Sequence, residues 1–182
     1  MARKARSVKQ RREIFEDFGR IELRARPELV FSLREGYLLI AKIDQGYLVQ
    51  YCTGWEDSKE IEVSIALEGN DSVRLRSELD KTKAYQWTRE FRPLDYQVLD
   101  GYDWTMDFYK GDSYFQTCGG NAAPQELLDF YEYIVSLGLP RLESLDEIAE
   151  SGYEASMISP WERLEAQHGK GMERCALCQS SD

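Results

Sequence analysis

The chain has 182 residues, with 33 Asp/Glu against 23 Lys/Arg, four cysteines and a single histidine. That length suits one domain with a real core. No run approaches the roughly 20 apolar residues of a membrane span, and the basic start MARKARSVKQRR is not followed by the apolar stretch of a secretory signal. A soluble cytoplasmic protein with reduced cysteines and no membrane partner is therefore expected.

The formal charge of −10 is unevenly spread: residues 1–26 hold nine Lys/Arg against four Asp/Glu, and the remainder 14 against 29. A basic arm on an acidic body follows. The acidic body argues against direct DNA binding, because phosphate contacts need a basic surface. It suits a basic partner.

From the N-terminus, Ser7 and Gln10 form a capping box, and Val8–Phe18 reads as a helix closed by Gly19. Arg3, Lys4, Arg6, Lys9, Arg11 and Arg12 gather at its head, where positive charge opposes the helix dipole and is free to grip an acidic or phosphate surface. Ile21–Arg26, Leu29–Arg34, Tyr37–Ile43 and Tyr47–Thr53 read as strands of a meander, turning at Glu35-Gly36 and Asp44-Gln45-Gly46. Ile61–Leu67 alternates as another strand. Gly69-Asn70-Asp71 reads as a turn, after which Val73 and Leu75 continue in extended conformation, and Ser77–Glu90 reads as a short helix or irregular segment.

The stretch from Tyr96 to Leu139 organises the rest. Asp100-Gly101 signals a tight turn. Tyr102, Trp104, Met106 and Phe108 alternate with Asp103, Thr105, Asp107 and Tyr109, so the two sets face opposite sides of a strand. Lys110-Gly111-Asp112 turns into a second strand, Ser113–Cys118. After Gly119-Gly120-Asn121, Pro124 opens a helix whose Leu127, Leu128, Tyr131, Ile134 and Val135 share a face, and Gly138 ends it. Of 22 aromatic residues, 13 lie between Tyr85 and Tyr133, so an aromatic sheet face under this helix is the expected main core. Beyond Pro140, residues 144–151 read as a short acidic helix, 152–159 as a loop, and Pro160 as the start of a last helix with Trp161 and Leu164. The fold class is α+β, an antiparallel sheet packed by the helix near 124–138. Residues 1–19 form the basic arm, 20–139 the core domain, and 140–182 an acidic extension and tail.

Among the motifs, Cys175 and Cys178 have zinc-knuckle spacing, and His168, Cys118 or Cys52 could complete a ligand set. A zinc ribbon needs a second paired knuckle, which the sequence lacks, so no cofactor is expected. His168 has no evident nucleophile beside it. Asp100, Asp103, Asp107 and Asp112 cluster on one hairpin. Two of them on one strand face could hold a divalent cation for nucleic-acid chemistry, or form the solvated side of an amphipathic strand. Gly119-Gly120-Asn121 lacks the pattern of a phosphate loop.

The segment DGYDW…GGNAAP resembles that of a group of small bacterial proteins in which Asp-Gly-x-x-Trp leads through a hairpin to Gly-x-Asn-x-x-Pro and a helix. Asp100, Gly101, Trp104, Gly119 or Gly120, Asn121 and Pro124 carry this likeness. In size and acidity the whole chain also resembles type II anti-CRISPR proteins. That resemblance implies a non-enzymatic inhibitor in a bacterial cell, whose partner is the RNA-guided DNA nuclease with its guide RNA. Asp100, Asp103, Asp107, Asp112, Glu143, Asp146, Glu147 and Glu150 would then occupy the basic DNA channel. The basic arm would touch guide RNA or an acidic patch. The alternatives are a metal-dependent nucleic-acid enzyme centred on Asp100–Asp112, and a protein–protein adaptor.

Overall fold

A computed structural model describes residues 3–5, 7–27, 36–54, 60–88, 90–93, 101–152 and 155–158. Its described residues form nine strands and four helices, with a 3₁₀ turn at Ala84–Gln86. The strands are β1 (Arg3–Lys4), β2 (Arg20–Pro27), β3 (Tyr37–Ile43), β4 (Gly46–Thr53), β5 (Glu60–Glu68), β6 (Glu90–Pro93), β7 (Tyr102–Lys110), β8 (Ser113–Gly120) and β9 (Ala155–Ile158). The helices are α1 (Val8–Glu16), α2 (Gly69–Thr82), α3 (Gln125–Ser136) and α4 (Glu143–Glu150). This is the α+β class that strand alternation and helical spacing predict.

All nine strands belong to one sheet, ordered β5-β4-β3-β2-β7-β8-β6-β9, with β1 also pairing β8. The meander β2-β3-β4-β5 is antiparallel, and so is the long pair β2–β7, which joins it to the β7–β8 hairpin. Two short parallel pairings, β1 and β6 each on β8, share the far edge of that strand. At the other end β5 is the outermost strand, with a bulge opposite Tyr51/Cys52 and three glutamates along its length. Bulges and charges are how exposed edges resist pairing with other chains.

Alternation sorts the sheet into two faces. Ile21, Leu23, Leu38, Ile40, Val49, Trp104, Met106, Phe108 and Phe115 point inward and join one apolar cluster with all four helices. In that cluster α1 lies against β7 and β8, α2 against β4 and β5, and α4 against β2 and β7. The helix α3 packs on α2 and buries Leu127, Phe130, Tyr131 and Ile134. Phe108 and Phe115 stack at 4.5 Å, and Phe108 also contacts Phe15 and Phe18 of the N-terminal segment.

Three local readings are corrected. The segment after Glu68 is helix rather than turn and strand, because Leu75, Leu79 and Thr82 bury one helical face while Val73, which an extended segment would place on the same side as Leu75, is 67% exposed. Lys83, in the left-handed region at φ 49°, ends this helix. Residues 155–158, read as loop, form β9 against β6, a strand that the sequence pattern does not mark either. In both cases a four-residue strand is too short to show a period, and pairing supplies what the pattern lacks. Arg11, placed on a free basic arm, is buried: its guanidinium donates to the Trp87 carbonyl oxygen and stacks 4.8 Å from the Phe115 ring centre.

The residues of the DGYDW…GGNAAP segment that lie in the described structure have architectural roles. Asn121, at φ 58°, donates its backbone N–H to Tyr102 O and accepts the Tyr102 N–H on its side-chain oxygen, each at 2.8 Å. A Cβ at Gly101 would sit 1.7 Å from that side-chain oxygen, so only glycine fits there. The Trp104 indole donates to Ala122 O at 2.9 Å, and a Cβ at Gly119 would meet the Phe91 carbonyl oxygen at 2.8 Å and the indole nitrogen at 2.6 Å. Pro124 then caps α3 from an extended conformation. These residues lock the hairpin to the helix.

Candidate functional site

Two polar regions stand apart from the core, one on each side of the sheet. The first is the outer face of β2, β7 and β8. Side chains on it follow from alternation: Glu22 pairs across the strands with Asp107, which pairs with Gln116, while Arg24 aligns with Thr105 and Cys118, and Arg26 with Asp103. A groove of about 490 Å³ runs over these residues, with the carboxylates of Glu22, Glu90, Asp103 and Asp107 facing the guanidinium groups of Arg24, Arg26 and Arg92.

Within the groove the charges are largely satisfied. Glu22, itself buried, accepts from Arg24 at 2.8 Å and lies 3.3 Å from Arg20. Arg92 is buried between Glu90 and Asp103, the latter at 3.4 Å. Arg20 and Arg24 lie over the rings of Tyr109 and Tyr37, at 4.3 and 4.6 Å. Among the described residues Gln116 donates to Asp107, at 2.9 Å. Burial pushes its carboxyl above the usual range, with the Glu22 carboxylate adding to the effect and Gln116, Arg24 and Arg20 opposing it. The Cys118 thiol is likewise pushed up, first by burial and then by Glu90, so it is the reverse of an activated nucleophile.

The second region is the outer surface of α3 and α4. Between Gln125 and Glu150 the chain holds seven carboxylates and one arginine. Glu126, Asp129, Glu132, Glu143, Glu147 and Glu150 are all exposed. The apolar stripes of both helices are spent on the core, which leaves the acids on the opposite side. Arg141, the one cation, reaches Glu132 on α3 and Asp146 on α4 and ties the two helices together. Tyr131 reinforces the joint: its hydroxyl accepts from Leu142 N at 2.7 Å and donates to Asp146 at 3.1 Å. Burial raises the pKa of that hydroxyl, so it stays protonated and able to donate.

The structure therefore divides the acidic residues that the sequence groups together. Asp103 and Asp107 sit on the outer sheet face among arginines. Four positions apart on one strand, they are separated by roughly 13 Å, and each has its own partner rather than a shared cation position. Asp112 is exposed in the β7–β8 turn. Glu143, Asp146, Glu147 and Glu150 lie on α4, against the other face of the sheet. Glu126, Asp129 and Glu132 join these four, a set that sequence reading passes over because α3 is read there for its apolar face. Their signal is plain in hindsight, since no Lys or Arg occurs between Gln125 and Pro140.

Of the basic residues, Arg3 and Lys4 form β1 and are exposed, as are Lys9 and Arg12 on α1, with Arg12 bonded to Glu16 at 2.7 Å. Asp100, Arg6, His168, Cys175 and Cys178, the strand at Leu29–Arg34 and the last helix from Pro160 lie outside the described residues. Among the described residues no group of three or more His, Cys, Asp or Glu is arranged to hold a metal ion, and no helix is long and apolar enough to cross a membrane. Cys52 is buried in β4 and Cys118 lies in β8. Comparison with known proteins adds no homologue: no protein-family model, no curated protein and no solved structure matches the chain.

Proposed function

We propose that the chain is a non-enzymatic inhibitory binding protein. It sets the acidic surface of α3 and α4 against the basic nucleic-acid channel of an RNA-guided type II DNA nuclease carrying its guide RNA, in the cytoplasm of a bacterial cell. The observation that carries this reading is the charge of residues 125–150, seven carboxylates against one arginine, displayed on two helices joined by the ion pairs of Arg141. Such a field draws a cationic surface from a distance and speeds encounter. The outer sheet groove suits this role less well, since its carboxylates are matched by arginines.

The test is binding to the guide-loaded nuclease, with DNA cleavage followed across a salt series. Blocked cleavage that weakens as salt rises is expected. The fourfold variant Glu126→Lys, Asp129→Lys, Glu143→Lys and Glu147→Lys changes only exposed positions and should lose inhibition by more than about tenfold, while Asp112→Lys should leave it intact. Equal inhibition by both variants would remove α3–α4 from the interface. A chain that fails to bind but cleaves nucleic acid with added Mg²⁺ would overturn the inhibitor reading altogether.

A further inference from the structure

The acidic surface is not uniformly polar. Between the start of α3, the end of α4 and β9 lies a cavity of about 480 Å³, lined by Trp87, Phe91, Leu128, Ile148 and Met157 with Glu126 at its edge. Trp87 and Phe91 meet edge to face at 5.4 Å, which makes a firm aromatic base. Met157 is 44% exposed, an apolar side chain left to water beside an apolar hollow. No Lys or Arg among the described residues lines the cavity.

Three features narrow what it accepts. The volume admits one large side chain with room to spare, as do interface pockets that take aromatic anchors. Glu126 lines the cavity, and Asp129 on α3 and Glu147 and Glu150 on α4 are next in sequence to lining residues; these carboxylates attract cations and repel phosphate and carboxylate groups. A second copy of this chain would bring the same acidic helices against themselves, so self-association through this face is opposed. The same surface thus offers an apolar socket with a cation-attracting border.

We propose that the cavity seats a bulky apolar side chain flanked by Lys or Arg, presented by a segment of the protein that α3 and α4 bind. This inference rests on α3–α4 being the docking surface, and it adds an anchor to what charge alone would supply. The acids bring the partner in and orient it, while the buried side chain slows its departure.

A defined probe isolates the socket. The peptide acetyl-KKWKK-amide, with KKSKK and EEWEE as controls, is titrated into the full ¹⁵N-labelled chain and amide shifts are followed. KKWKK should bind at least about tenfold more tightly than either control, with shifts centred on Leu128, Ile148 and Met157. Ala149→Trp, at an exposed position that lines the cavity, fills it from within; its circular dichroism should match the parent while KKWKK affinity falls by about tenfold. Glu126→Lys should weaken KKWKK by a smaller factor. Equal binding of KKWKK and KKSKK, shifts centred elsewhere, indifference to Ala149→Trp, or no binding by any peptide would each overturn the socket. Its failure beside a charge-reversed variant that no longer inhibits the nuclease would leave the proposed function standing without an anchor. Success with the peptide and no binding to the nuclease would keep the socket and discard that partner.

Discussion

The two faces of the central sheet obey different physics although they share every strand. On the inner face Trp104, Met106 and Phe108 are almost wholly buried under four helices, and apolar transfer and close packing hold them. On the outer face the alternate residues of the same strand, Asp103, Asp107 and Tyr109, lie among Arg20, Arg24 and Arg92 in a network of paired charges. Burial of Glu22, Arg92 and Asp107 shows that this network is not a solvated surface. It differs from the core in that each group must find a partner, so its contribution to stability depends on pairing rather than on area.

Four substitutions sharpen the contrast, from the largest effect to the smallest. Trp104→Ala removes the largest fully buried side chain among the described residues and its bond to Ala122 O, and should cost about 3–5 kcal/mol in urea denaturation. If it cost less than about 1 kcal/mol, the inner face would not be the dominant core. Gly101→Ala forces a methyl group into the Asn121 side chain and should cost about 1–3 kcal/mol; an unchanged midpoint would show that the hairpin-to-helix lock is dispensable. Arg92→Ala leaves Glu90 and Asp103 facing each other on the outer face, and a loss of about 1–3 kcal/mol is expected, with partial recovery when Asp103→Asn is added. Strict additivity of the two changes would mean that they do not interact.

The smallest effect has the opposite sign. Asp107 has a folded pKa raised by burial, so the folded state holds its proton more tightly than the unfolded chain does. That contribution to stability is fully present below the ordinary carboxylate value and is lost as pH rises through the folded pKa. Asp107→Asn, which carries no charge to desolvate, should therefore be as stable as the parent at low pH and slightly more stable at neutral pH. Denaturation midpoints measured across that range provide the check. A variant less stable than the parent at neutral pH would show that the ionised carboxylate is favoured by its arginine neighbours.

The DGYDW…GGNAAP segment is the most motif-like part of the hairpin, and its described residues are architectural. Gly101, Trp104, Gly119 and Asn121 are required by close approach and backbone conformation, and each contacts another residue of the same segment or its immediate neighbours. They explain why the hairpin and α3 sit as they do. The exposed carboxylates of α3 and α4 lie on other residues, beyond this lock.

By itself the sequence determined the strands and helices whose period is long enough to read. Alternation from Tyr102 to Tyr109 and from Val63 to Leu67, the capping box at Ser7, and the apolar stripe of α3 all reappear in the structure, because each is a local consequence of backbone geometry; Ile61, at the bulge, is instead 53% exposed. Tertiary structure decided the helix at Gly69–Thr82, where Leu75 and Leu79 count as a helical pair only once the sheet beneath them is known, and it decided β6 and β9, which exist through pairing. It also drew Arg11 out of the basic arm and into the core. Above all it separated the acids: the expected acidic face placed Asp103, Asp107 and Glu143 in one set, but a sheet has two sides. Which side a charge occupies, and whether an arginine awaits it there, depends on strand neighbours distant in sequence.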